Sequence, residues 1–269
     1  MPPQLRSFTS RATTTTDTVD LFSSERVDAN GVLIVTPTLN ERDSIEQLIQ
    51  GVRTHAPGAH ILIVDDGSTD GTAEAALELA RTGNDVHVLQ RGRKLGIGSA
   101  YQDGFQWGLD RHYERFVSMD ADLSHDPRYL PALIGATTSG ADLAVGSRYL
   151  HGVSVVNWGL SRLALSVIAN RYARTITGMA VRDTTSGFQC FRREVLRTID
   201  PRSFRFTGYA FLVELKYRTF QHGYRICEVP IIFVDRRYGF SKLGLRHVAQ
   251  STWAVWVMRL GRRPSRSNR

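Results

Sequence analysis

The chain has 269 residues, 42% of them apolar, enough for one large α/β domain or two small ones built on a sizeable core. Its 34 Lys and Arg against 26 Asp and Glu leave a net charge of +8, which suits an anionic partner such as nucleic acid, a membrane surface or a phosphorylated substrate. Two widely separated cysteines, Cys190 and Cys227, argue against a zinc site and fit a reducing compartment, while no opening apolar run reads as a secretory signal and no stretch reaches the ~20 apolar residues of a membrane span.

Residues 1–27 are rich in Ser, Thr and Arg and lack periodicity, so the sequence predicts a disordered leader. The fold is expected to begin at Gly31. Short apolar runs of buried-strand type follow at 32–35, 61–64, 86–89, 116–119 and 143–145, with helical segments between them at about 42–55, 72–82, 98–110 and 127–138. Asn40 reads as the cap of the first helix with Glu41 in its opening turn, and Asp126 followed by Pro127 reads as a cap before a favoured first helical residue. Strands and helices alternating at this spacing predict a mostly parallel sheet with helices on both faces. Beyond it the sequence predicts a longer helix at 158–177, a short strand after Phe188, a helix near 209–220, a strand at 226–234, and a final helix at about 243–260 that ends in a basic tail. The expected domains are therefore a leader (1–27), a main α/β domain (28–242), and an amphipathic, membrane-surface helix with its basic tail (243–269).

In an open parallel sheet, ligands bind beyond the carboxyl ends of the strands. Three such ends carry chemistry: Pro37-Thr38-Leu39-Asn40-Glu41, Asp65-Asp66-Gly67-Ser68 and Asp120-Ala121-Asp122. Two acids at i and i+2 just past a strand can serve one Mg²⁺ or Mn²⁺ ion, which takes few protein carboxylates and completes its shell with substrate phosphates and water. Each motif has an ordinary use as well, Asn40 and Asp126 as caps, Ser68 and Asp70 as turn residues. Three on one edge favour a site. Gly96 and Gly98 follow the third strand and lack the dinucleotide fingerprint, so they either admit a ligand to the backbone or turn the chain into its helix. Arg162 and Ser166, four residues apart, share a helix face that Asn170 continues, and a guanidinium beside a hydroxyl can grip a phosphate; an ordinary solvated face is the alternative. Arg148 and Arg236, each after an apolar strand, add cations.

Thr36-Pro37-Thr38-Leu39-Asn40-Glu41, Val64-Asp65-Asp66-Gly67-Ser68, Lys94-Leu95-Gly96-Ile97-Gly98 and Asp120-Ala121-Asp122 resemble the family-2 glycosyltransferases of the GT-A fold. Gly146-Ser147-Arg148-Tyr149, Arg162 with Ser166, Asp183-Thr184-Thr185-Ser186-Gly187-Phe188 and residues 236–243 narrow the resemblance to the polyprenol-phosphate mannose synthases, over about residues 31–245. The resemblance implies a GT-A (Rossmann-like) α/β fold and an inverting transfer of mannose from GDP-mannose to polyprenyl phosphate, with Mg²⁺ or Mn²⁺ as cofactor. It implies that Pro37, Asn40, Glu41, Asp65, Asp66, Ser68, Lys94, Gly98, Asp120 and Ala121 hold the nucleotide sugar, and that Asp120, Asp122 and Ser124 form the metal site. Relatives often carry Gln where this chain has Ser124, a shorter and weaker donor. Arg148, Arg162, Ser166 and Lys242 are the implied acceptor-phosphate ligands, and Asp122, Arg162 and Arg236 the implied catalytic residues.

A lipid monophosphate, mostly dianionic at neutral pH, is already a nucleophile, so no general base is assigned; Asp183 and Glu214 are the candidates if one exists. The competing expectations are a UDP-glucose donor and a non-catalytic nucleotide-sugar-binding regulator. No nucleic-acid-binding motif supports that further reading of the charge. Apolar and aromatic residues of the last helix, followed by arginines, predict peripheral attachment to the inner, cytoplasmic face of a membrane, with or without a separate membrane-anchoring subunit.

Overall fold

A computed structural model describes residues 27–206, 208–235 and 245–260, and the side chains within these except Tyr209 and residues 245–252. The leader, Arg236, Lys242 and the basic tail beyond residue 260 lie outside the described residues. The first half alternates as expected: β1 (Val32–Thr38), α1 (Arg42–His55), β2 (His60–Asp65), α2 (Thr72–Arg81), β3 (Val86–Gln90), α3 (Ile97–Asp110), β4 (Arg115–Ser118), α4 (Leu130–Thr138) and β5 (Leu143–Ser147). There follow β6 (Val155–Val156), α5 (Leu160–Thr177), β7 (Gln189–Arg192), α6 (Arg193–Ile199), α7 (Tyr209–Gln221), β8 (Ile226–Pro230), β9 (Phe233–Val234) and α8 (Leu245–Leu260).

Seven strands form one sheet in the order β3-β2-β1-β4-β7-β5-β8. Only β7 runs antiparallel, against both β4 and β5. Successive residues of β1 point to opposite faces: Val32 and Ile34 pack with Ile45, Leu48 and Ile49 of α1 and Leu133 of α4. Leu33 and Val35 pack with Tyr101 and Phe105 of α3, Leu196 of α6 and Leu215 of α7. Both faces are covered, which is why the strands read as unbroken apolar runs.

The helix α3 lies against the sheet at glycines. A Cβ at Gly104 would come within 2.3 Å of Val35 Cγ1, and one at Gly108 within 2.5 Å of Leu33 and Phe116. A third cluster joins Ala173 of α5, Val213 and Tyr217 of α7, and Ala254, Val255 and Met258 of α8.

Three details depart from the sequence reading. The expected strand 226–234 is two, because after Pro230 the chain leaves the large sheet and β9 pairs with β6. The short helix α6 follows β7 directly and was not anticipated. The last helix, read as a membrane-surface element, is split: Val255 and Met258 are core contacts, while Trp253 and Trp256 on the other side of α8 are exposed.

Candidate active site

Because β2, β1 and β4 are parallel neighbours, their carboxyl ends lie on one edge, bringing the motifs at 37–41, 65–68 and 120–122 together. The first two loops interlock. The Asn40 amide donates to Ser68 Oγ at 3.0 Å, and Asn40 Oδ1 accepts from the Thr69 amide at 2.9 Å. The Glu41 and Arg42 amides, the free donors at the start of α1, are satisfied by Thr72 Oγ1 and Asp70 Oδ2. Asn40, with φ of +58°, therefore does not cap α1 as expected; it ties two loops, and the cap comes from the neighbouring loop. Asp126 does cap as expected, accepting from the Arg128 amide at 2.9 Å.

The paired acids after β2 have distinct surroundings. Asp65 accepts from Thr38 Oγ1 and from the Gly67 and Ser68 amides, which turns the chain sharply at the strand end. Asp66 accepts from Arg91 and from the Leu95 and Gly96 amides at 2.8 Å, so the loop bearing Lys94 and leading to Gly98 is held against this edge by a buried carboxylate. Lys94 itself is exposed and Gly98 buried.

Beyond β4, Asp120 and Asp122 flank the buried Ala121. Asp120 Oδ1 accepts from the Tyr101 hydroxyl at 2.9 Å, and its amide donates to His125 Nδ1 at 3.0 Å. Asp122 Oδ1 accepts from the Ser124 amide and hydroxyl at 3.1 and 2.5 Å. Ser124 thus braces Asp122 through both its amide and its hydroxyl. His125 Nδ1 acts as an acceptor, and burial lowers the His125 pKa against the pull of the Asp120 and Asp122 charges, so the imidazole is neutral. Among the described residues, no cluster of three His, Cys, Asp or Glu side chains could by itself hold a metal.

Cations and aromatic rings lie beside the acids. His125 stacks on Phe188 and meets Phe233 edge-on, Phe233 meets Trp158, and the Arg162 guanidinium lies 4.2 Å from the Trp158 ring centre. Arg162 also bonds Asp235 at 2.6 Å, and Ser166 Oγ accepts from the Tyr149 hydroxyl at 2.7 Å. Arg148 is buried and grips Asp183 through two nitrogens at 2.7 Å each and Thr185 at 2.8 Å. Burial works to raise the Asp183 pKa, but the Arg148 charge and hydrogen bonds outweigh it and hold the carboxylate ionised. Arg148 Nε and Nη2 are thus engaged with Asp183 and Thr185, a structural role beside the acceptor-binding one expected of it. Asn170, expected to extend the Arg162 stripe, faces inward and accepts from Thr184.

Residues 33–200 match the family described as glycosyl transferase family 2. The chain belongs to that family. Among its relatives is the polyprenol monophosphomannose synthase of Mycolicibacterium smegmatis, 44% identical over 230 residues that cover 84% of this chain and 87% of the relative. The undecaprenyl-phosphate mannosyltransferase of Micrococcus luteus is 43% identical over 212 residues, 79% of this chain and 87% of the relative. A solved structure, glucosyl-3-phosphoglycerate synthase from Mycobacterium tuberculosis in complex with Mn²⁺, uridine diphosphate and glucosyl-3-phosphoglycerate, has a TM-score of 0.62 at 22% identity, covering 87% of this chain and 81% of that one. At that identity the likeness is one of fold. The expected α/β architecture of the glycosyltransferase family is therefore the observed one.

Tyr101 and His125 were missed in the sequence. Tyr101 shares the buried face of α3 with Gly104, Phe105 and Gly108, so its period marks it as core; only its position near the start of α3 hints that the hydroxyl reaches the strand ends. His125 lies three residues past Asp122, in a turn whose shape periodicity does not reveal.

Proposed function

We propose that this chain is an inverting glycosyltransferase that moves mannose from GDP-mannose to the phosphate of a polyprenyl phosphate. The observation that carries the reading is the pair of relatives at 43–44% identity whose names specify mannosyl transfer to, or mannose synthesis on, a polyprenol phosphate. The strand-end acids supply what such a donor needs. Asp120 and Asp122 present oxygen ligands only, few in number and backed by Tyr101 and Ser124, which fits Mg²⁺ or Mn²⁺ sharing its shell with a diphosphate. When bound there, the ion would offset negative charge on the departing nucleoside diphosphate. Pro37, Glu41, Asp65 and Asp66, with Asn40 and Ser68 bracing the loops, are assigned to the nucleoside side.

The acceptor needs no deprotonation, since its phosphate is mostly dianionic above a second pKa of ~6. Its oxygen forms a bond to the anomeric carbon as the bond from that carbon to the diphosphate oxygen breaks, giving a β-linked product from an α-linked donor. Both candidate bases are occupied: Asp183 by Arg148, and Glu214 by Arg218 at 2.6 Å. Arg162 and Ser166 are assigned to the acceptor phosphate, with Arg236 and Lys242 as further cations outside the described residues. Arg162 would exchange or share its Asp235 partner on binding. Trp158, beneath the guanidinium, holds it in plane.

Peripheral attachment to the inner face of a membrane fits the acceptor. No helix among the described residues is long and apolar enough to cross a membrane. The contacting helices α5 and α8 expose Leu160, Ile168, Trp253, Trp256 and Leu260, and interfacial Trp rings suit headgroup depth.

The test is a panel of radiolabelled GDP-mannose and UDP-glucose with polyprenyl phosphate and Mg²⁺ or Mn²⁺, scored by label in the organic phase. Lipid-linked mannose is expected. Glucose alone would replace the donor, and metal-dependent nucleotide binding with no transfer of either sugar would make the chain a binding regulator.

A further inference from the structure

The segment 182–187 crosses the site with a bond at every residue. Glu228 of β8 receives the Arg182 and Asp183 amides at 2.8 and 2.9 Å. Arg148 takes the Asp183 carboxylate, Asn170 of α5 takes Thr184, and Arg148 also takes Thr185. The Gly187 carbonyl accepts from Ser118 Oγ of β4 at 2.6 Å. The Ser186 carbonyl accepts from Lys216 Nζ at 2.7 Å and from Gln189 Nε2 at 3.1 Å. Gly187 in turn lies against the proposed metal site: a Cβ there would be 3.3 Å from His125 Cε1 and 3.8 Å from Asp120 Oδ1.

Lys216 is an unexpected residue for this place. Its side chain is fully buried in the middle of α7, and its other described bond is to the Leu212 carbonyl one turn back, at 3.2 Å. Among the described residues no carboxylate comes within ion-pair distance of it. A buried ammonium without a carboxylate costs several kcal/mol relative to an apolar side chain of similar volume, so fold stability alone favours Met or Leu here. The charged groups that act on it, Asp183, Arg148 and Glu228, are the same groups that anchor the segment.

We infer that Lys216 is a positioning residue for the reaction, holding the segment 183–187 through the Ser186 carbonyl so that Gly187 packs on Asp120 and Thr185 stays on Arg148. Lys216 touches neither substrate nor metal; it acts through the backbone it pins. The inference deepens the glycosyl-transfer reading and rests on it for its kinetic consequence, but its structural content is independent of the donor.

The experiment compares full-length wild type with K216M and K216Q in two measurements. By hydrogen exchange, K216M is expected to exchange faster across 183–188 while the β1 and β2 amides keep their protection. By steady-state kinetics with the donor that wild type turns over, kcat is expected to fall about 10–100-fold, the range typical of lost outer-shell partners. KM for the nucleotide sugar should stay nearly constant, and K216Q, which retains a donor, should recover part of the rate. S118A, which cuts the tie at Gly187, should act in the same direction and serves if K216M does not fold. Unchanged exchange over 183–188 in folded K216M or S118A overturns the inference whatever the activity, as does wild-type kcat in K216M. A wild type inert with every donor, with faster exchange in K216M, overturns the transfer reading and leaves the pinning role standing.

Discussion

Replacing Lys216 by methionine should stabilise the fold at neutral pH even as it slows turnover. Burial pushes the Lys216 pKa from its ordinary 10.5 down to about 7, with Asp183 opposing the shift and Arg148 adding to it. Between those two values the unfolded chain binds a proton that the folded chain does not, so the wild-type protein gains stability as pH rises from 7 toward 10.5. The full span corresponds to about 5 kcal/mol at 1.36 kcal/mol per pKa unit. Against this, K216M removes the shorter of two hydrogen bonds to the Ser186 carbonyl, Gln189 Nε2 remaining at 3.1 Å, a loss of about 0.5–1.5 kcal/mol. The Leu212 carbonyl keeps its place in the hydrogen-bond ladder of α7. The net expectation is that K216M is more stable than wild type by about 3–4 kcal/mol at pH 7, with the advantage shrinking to about zero by pH 10. Urea unfolding followed by circular dichroism at pH 7, 8, 9 and 10, taken as the difference between the two proteins, isolates this group from every other titration. A difference that does not vary with pH, or a K216M less stable at pH 7, refutes the reasoning.

Other outcomes follow from the same geometry. D122A should abolish metal-dependent turnover while the circular dichroism spectrum and cooperative unfolding persist; near-normal rates would remove Asp122 from the metal site. R162A should raise KM for polyprenyl phosphate far more than KM for the nucleotide sugar, whereas equal effects on both would place Arg162 outside the acceptor pocket. At Gly104 an added methyl would meet Val35 at 2.3 Å, so G104A should destabilise by about 1–3 kcal/mol despite its better helix propensity, read as a fall in the urea midpoint. Cys190 is buried with its thiol pushed up to about 12, so a thiol reagent at pH 8 should label it only on unfolding; rapid labelling of the native protein would contradict the packing.

The first half of the fold was legible because its physics is local. Apolar runs between helices of regular period define buried parallel strands, and the acids that end β2 and β4 cannot be explained by core packing. The site's supporting residues were harder to read, since their roles arise from contacts distant in sequence. Arg148 reads as a phosphate ligand, and nothing in its spacing reveals its pairing with Asp183, 35 residues on. Asn40 looked like a cap because its residue type favours caps, whereas Asp70 and Thr72 from another loop do that work. Lys216 sits in a helix at a position no period distinguishes from solvent-facing lysines. Arg236 and Lys242 lie outside the described residues, so their assignment rests on the sequence resemblance alone.

The reversal of β7 has a consequence for how this enzyme family can diversify. A strand laid opposite to its neighbours begins where they end, so the approach to β7 is delivered to the catalytic rim without an added excursion of the chain. The rim is therefore stitched from two stretches of polypeptide: an early one, through β4, that carries Asp120 and Asp122, and a later one, entering at β7, that packs against them at Gly187. Ser118 and Gly187 form the seam between them, and on this architecture the later stretch can vary in sequence while the acidic turn after β4 is left intact.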